Sequence, residues 1–188
     1  MRKHHSALGG VALALALALT GCGGDDNEPT VQETPSQSPS PTTPAASPTP
    51  KTDEEKAAAQ LTAYLDVRDD FYRQATIDFK RLNKVATGSE FLNVQQHVSA
   101  IERSGGKVTG EYVHTLGEPR DRGAYILIID CEDRSGVERT NKAGQLVPEP
   151  TGPDGKPVPN PLPIEYTLVK EKGRWLVSEQ NGLLEESC

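Results

Sequence analysis

The chain predicts an α+β domain, two helices packed on one face of an antiparallel β-sheet, and three observations lead there. Apolar residues recur at helical spacing from Leu61 to Ile101, the pattern changes to a period of two from Lys107 onward, and Gly-containing turns punctuate the later segment. Helices first and strands afterwards are the order of a segregated α+β fold, not of alternating βαβ units with their parallel sheet.

In chain order, Asp53 is suited to cap a helix, with Glu54 and Glu55 in the first turn, where the helix dipole favours acids. Leu61, Leu65, Arg68, Tyr72, Ala75, Phe79 and Leu82 follow at spacings of three and four, and Tyr64 and Phe71 widen the stripe. This reads as one long amphipathic helix ending near Thr87-Gly88. Ser89 caps a second helix with Phe91, Leu92, Val94, Gln95, Val98 and Ile101 on its apolar side, stopped by Gly105-Gly106. Over residues 107–116, Val108, Tyr112, His114 and Leu116 share one strand face. Residues 117–123 turn, and residues 124–131 are apolar on both faces, as in a central strand. A hairpin turning at Lys142-Ala143-Gly144 joins residues 137–140 to 145–147, and a last pair, 164–170 and 174–180, turns at Glu171-Lys172-Gly173. Residues 148–163 hold seven prolines in sixteen positions, which excludes a sheet interior and predicts a projecting loop. That loop is either an extended arm docking on a neighbour or over a pocket mouth, or a tolerated extension.

Ahead of the domain, Arg2 and Lys3 precede an uninterrupted small and apolar run over residues 7–19. As a helix it would reach only about 20 Å, short of the roughly 30 Å hydrocarbon core, so it has the length of a signal segment and not of a permanent span. Leu19-Thr20-Gly21-Cys22 resembles the lipobox of bacterial lipoproteins. The resemblance implies a signal peptide over residues 1–21, a palmitate-bearing diacylglycerol on the Cys22 thiol, and a lipid-anchored location on the outer face of the bacterial cytoplasmic membrane. Residues 22–53 hold seven prolines with Ser, Thr, Gly and Asp between them and almost no large apolar residue, the composition of a disordered tether. The folded domain is then 54–188. With Cys22 consumed by lipid, Cys131 and Cys188 remain as an even pair in an oxidising compartment, which predicts a disulfide between them. A formal net charge of −7 argues against nucleic acid as a partner.

The helices-then-meander order, the Tyr64-Leu65 pair and the final Lys170-Glu171-Lys172-Gly173-Arg174-Trp175-Leu176-Val177 resemble the nuclear transport factor two-like superfamily, also called SnoaL-like or cystatin-like. More narrowly, the Pro/Thr tether and Cys131-Glu132-Asp133 resemble actinobacterial lipoproteins that carry such a domain. The resemblance implies a curved, cone-like sheet with a pocket, whose candidate lining is Tyr72, Tyr112, His114, Tyr166 and Trp175. In enzymes of the superfamily an Asp, His or Tyr acts there on a small hydrophobic substrate, which makes Asp130 and His114 the candidate acid and base. Against catalysis, a strand-end Asp and a single His on an apolar face are more often packing residues, and His97 faces solvent. The acids Glu132-Asp133 and Glu185-Glu186 read as solvated surface. The sequence has no zinc-ligand spacing, phosphate loop or nucleophile elbow, so neither a metal nor a cofactor is expected. Two readings follow: a non-catalytic binding or protein-interaction domain, whose partner is an envelope protein or a small hydrophobic ligand and whose cone can be filled by Tyr72, Phe79, Tyr112, Ile128 and Trp175, or a small-molecule isomerase, dehydratase or cyclase.

Overall fold

The computed structural model describes residues 52–188. The signal segment, Cys22 and the tether through residue 51 lie outside the described residues. The first helix, α1 (Asp53–Gln74), opens on a capping box: the Thr52 hydroxyl accepts from the Glu55 N–H at 3.1 Å and the Glu55 carboxylate accepts from the Thr52 N–H at 2.8 Å. The cap is therefore one residue before Asp53, which instead pairs with Lys170 at 2.7 Å. The single long helix expected through residue 87 does not form. Ala75 turns left-handed (φ 50°), β-branched Thr76 and Ile77 follow, and Asp78 restarts a short α2 (Phe79–Leu82) by accepting from the N–H groups of Lys80 and Arg81. Phe79 consequently stands 49% exposed, outside the core it was expected to fill.

The next helix, α3 (Gly88–Ser104), has Thr87 as its N-cap and ends at left-handed Gly105. Its Ser89 hydroxyl is spent on the Ser178 carbonyl at 3.0 Å, so Ser89 does not cap the helix. Glu90, Val94 and Val98 form the buried row, while Leu92, expected on the apolar side, is 53% exposed.

The strands are β1 (Lys107–Thr109), β2 (Val113–Leu116), β3 (Arg120–Asp121), β4 (Tyr125–Asp133), β5 (Glu138–Thr140), β6 (Leu162–Glu171) and β7 (Arg174–Gly182). One antiparallel sheet has the order β2-β4-β6-β7, with β3 also on β4, and a separate ribbon pairs β1 with β5. The continuous strand expected over residues 107–116 is thus divided between two sheets. Gly110 (φ 84°) makes the break, with its backbone so close to the Gly136 carbonyl that a Cβ has no room. The hairpin expected over residues 137–147 forms in a short version: Thr140 bridges Leu146, the Asn141 N–H donates to the Gln145 carbonyl at 2.9 Å and the Val147 N–H to the Arg139 carbonyl at 2.8 Å, while β1 pairs with the other edge of β5. The final hairpin turns as expected, with Lys172 and Gly173 both at positive φ, the twist-matched two-residue turn.

Helices α1 and α3 cover one face of the larger sheet, and Leu61, Leu65, Val94, Ile128, Leu168 and Val177 lie in the core between them. A bulge at Ser178 shifts the β6–β7 register after Thr167, and Gly88 and Ser89 at the start of α3 seat on it. Residues 85–87 then bridge to Val177 and cover part of the edge strand. Cys131 and Cys188 are disulfide-bonded, with Cα atoms 5.8 Å apart and a sequence separation of 57. A closed loop of that length confers about 4 kcal/mol in the chain-entropy account. Urea unfolding with and without reductant should therefore differ by roughly that amount; superimposable curves would show that the bond only decorates a stable terminus.

Candidate functional site

Buried charge clusters where α1 crosses the middle of the sheet. Arg68 follows Leu61 and Leu65 in the apolar row of α1, so the geometry that buries those leucines buries a guanidinium, which is 2% exposed. Strand β4 turns alternate residues inward: Ile126 and Ile128, then Asp130 and Glu132. Arg68 Nη2 donates to Glu132 Oε2 at 2.7 Å and to Asp69 Oδ1 at 2.8 Å, Nε donates to the same Asp69 oxygen at 3.0 Å, and Nη1 donates to the Tyr166 hydroxyl at 2.8 Å. The rings of Tyr72 and Tyr112 flank it, their centroids 5.7 and 5.5 Å from Arg68 Cζ. Arg134 Nη1 lies 3.6 Å from Glu132 Oε1.

His114, on β2, completes the cluster. Its Nδ1 stands 2.6 Å from Asp130 Oδ2 and its Nε2 3.1 Å from Asp69 Oδ2, so an imidazolium donates to a carboxylate at each end. Burial opposes that charge, but the hydrogen bonds to Asp130 and Asp69 outweigh it and lift the imidazole pKa to about 9. Burial likewise pushes the Asp69 carboxyl upward, and the hydrogen bond from His114 and the charge of Arg68 overcome it and hold Asp69 below its ordinary value. With His114 charged, Arg68, Arg134 and His114 balance Asp69, Asp130 and Glu132. Deeper in the core the Tyr64 hydroxyl donates to Glu90, whose carboxyl burial pushes up, and the Tyr64 ring meets Tyr166 edge-on at 5.8 Å.

Beside this cluster a cleft of about 310 Å³ opens between α1, α3, the β1–β5 ribbon and the sheet. Arg68 and Glu132 are its buried charged lining groups, Ile101, Val108, Leu162 and Ile164 supply apolar surface, and His97, Arg139 and Gln180 lie among its polar ones. The Tyr112 hydroxyl in its wall is buried and has no hydrogen-bond partner among the described residues.

Of the residues singled out from sequence, Tyr72 and Tyr112 line this cleft. His114 lines a different depression with Asp66, Asp69, Asp70, Arg73 and Glu111; Tyr112, on whose ring His114 stacks at 6.4 Å, lines both openings. Tyr166 lies fully buried with its hydroxyl on Arg68, and Trp175 is buried in the core with Lys170 Nζ 5.5 Å above its ring. Asp130 is fully buried against His114 and lines neither opening. His97 is exposed, as expected, at the cleft. Glu132, read as solvated surface, is only 6% exposed, because the β4 alternation runs through it. Arg68, Asp69, Glu90 and Glu132 were not recognised as site groups. The available signal was an arginine inside an apolar stripe and two acids at i and i+2 of one strand face. Among the described residues no group of three or more His, Cys, Asp or Glu side chains is arranged to hold a metal ion.

The chain matches no family model and no curated protein. Among solved structures it is similar to the intermembrane space region of chloroplast protein ARC6, at 11% identity and TM-score 0.43, over 72% of this chain and 99% of that one. It is also similar to a chain named Rd1NTF2_05, at 13% identity and TM-score 0.37, over 69% of this chain and 99% of that one.

A histidine with its folded pKa raised from 6.5 to about 9 contributes stability that is complete below pH 6.5 and lost as pH rises through 9. An NMR titration of the His114 ring should give a midpoint near 9, with the urea midpoint falling across the same interval. A ring titrating at its ordinary value would mean the carboxylate pair does not hold the proton.

Proposed function

We propose that the protein is a lipoprotein anchored through Cys22 outside the cytoplasmic membrane, and that its domain, of the nuclear transport factor two-like type, binds a small hydrophobic ligand in the Arg68 cleft without transforming it. The observation that carries this reading is the separation of the acid–base pair from the cleft: His114 and Asp130 lie outside its lining. A general base must reach the proton it removes, and an imidazole held charged between two carboxylates is a poor base at neutral pH. The groups that do line the cleft suit binding. Arg68 and Glu132 satisfy each other, and the walls are aliphatic and aromatic. The competing reading, an isomerase or dehydratase of the SnoaL-like type, draws on the 2.6 Å His114–Asp130 contact and would place chemistry at the outer depression.

Native mass spectrometry of the full chain, purified from a producing cell in mild detergent, tests both halves of the proposal. The expected spectrum carries a diacylglycerol increment on Cys22 and a retained small molecule, with Cys22→Ser abolishing the first and Ile101→Trp, which fills the cleft, abolishing the second. An unmodified Cys22 contradicts the anchor. Retention indifferent to Ile101→Trp, or a retained molecule that the protein converts to product, contradicts the binding role.

A further inference from the structure

A second cleft, of about 560 Å³, lies where β6 begins and β7 ends, between residues 152–159 and residues 182–186. Both of its walls are anchored at the end of β4. The first wall is a small hairpin: Thr151 bridges Pro157, the Gly152 N–H donates to the Lys156 carbonyl at 2.8 Å, and the Val158 N–H donates to the Pro150 carbonyl at 3.0 Å. Arg134 clamps its base, donating from Nη2 to the Pro159 carbonyl at 2.6 Å and from its backbone N–H to Asn160 Oδ1 at 2.8 Å, while Asn160 Nδ2 donates to Asp133 Oδ1 at 3.1 Å. The proline-rich insertion is therefore a fastened ridge and not a loose arm. The second wall is the carboxyl-terminal tail. Its Leu183 N–H donates to the Pro163 carbonyl at 2.9 Å, and its last residue, Cys188, is bonded to Cys131 on β4. The disulfide and the Leu183–Pro163 hydrogen bond together fasten residues 183–188 as a wall.

Pro153, Pro157, Val158, Leu183 and Leu184 give the cleft an apolar lining. Asp154 and Lys156 neutralise each other at 2.8 Å, whereas Glu185 and Glu186 are exposed and form no ion pair among the described residues. The groove thus joins apolar walls to two unmatched negative charges on the tail side. We propose that it docks an extended segment of a partner protein that combines aliphatic side chains with Lys or Arg, and that the Cys131–Cys188 bond is a condition of that docking. Charge selects this occupant over the chain's own tether, where Asp25, Asp26, Glu28 and Glu33 outnumber Lys51, and over a second copy with net charge −7. The groove is independent of the Arg68 cleft, and neither role requires the other.

The test places a photo-reactive benzophenone side chain at position 184 of the full chain in a producing cell. Irradiation should join that position to a partner polypeptide, and the joined peptide, sequenced by mass spectrometry, should carry net positive charge. The double replacement Glu185→Lys with Glu186→Lys, at exposed positions that leave the core intact, should lower the yield about tenfold, since like charges then face each other. Cys188→Ser should lower it comparably. Joining to residues 23–51, to a second copy or to lipid overturns the proposal. So does a net-acidic peptide, a failure to join any polypeptide, or a yield indifferent to the charge reversal.

Discussion

The guanidinium of Arg68 is the constraint around which this domain is arranged. A charge with 2% of its surface exposed costs several kcal/mol unless its donors are met, and here Asp69, Glu132 and Tyr166 meet them. Those partners come from α1 itself, from β4 and from β6, so one side chain fixes the rotation of the helix against two central strands. His114 extends the same logic to β2, because its ring takes the remaining Asp69 oxygen and the Asp130 carboxylate. Apolar packing alone would tolerate a helix slid or rolled by a few degrees; matched hydrogen bonds in a dry interior do not.

This cluster also shapes what the protein presents to ligands. It closes the inner end of the Arg68 cleft with Arg68 and Glu132, which satisfy each other. The Glu132 that pairs with Arg68 sits between Cys131, which holds the tail, and Asp133 and Arg134, which hold the proline-rich ridge. The end of β4 thus serves the interior through Glu132 and the second groove through Cys131 and Asp133, while Arg134, just beyond it, touches both Glu132 and the ridge.

Much of the architecture was legible because local patterns agreed with the final fold. The 3.6-residue stripe of α1, the Gly105 stop, the apolar β4, the Lys172-Gly173 turn and the Cys131–Cys188 pair all follow from spacing or composition. What was not legible depended on distant neighbours. Nothing local reveals that Gly110 runs against Gly136, so the division of one expected strand between two sheets was hidden. The end of α1 at Ala75 reflects the need to turn back over the sheet, which overrode a continuing apolar period through Phe79 and Leu82. The site was harder still: Glu132 looks like surface until β4 is known to extend through Asp133, and Glu90 looks like a first-turn acid until its Tyr64 partner is seen.

The most direct measurement is the unfolding free energy of Arg68→Met, a replacement close in length that removes the charge and all of its hydrogen bonds. Three buried carboxylates would then face only Arg134 and His114, so the loss near neutral pH is expected at about 3–5 kcal/mol. Stability equal to the parent near neutral pH would contradict an interior organised by this guanidinium.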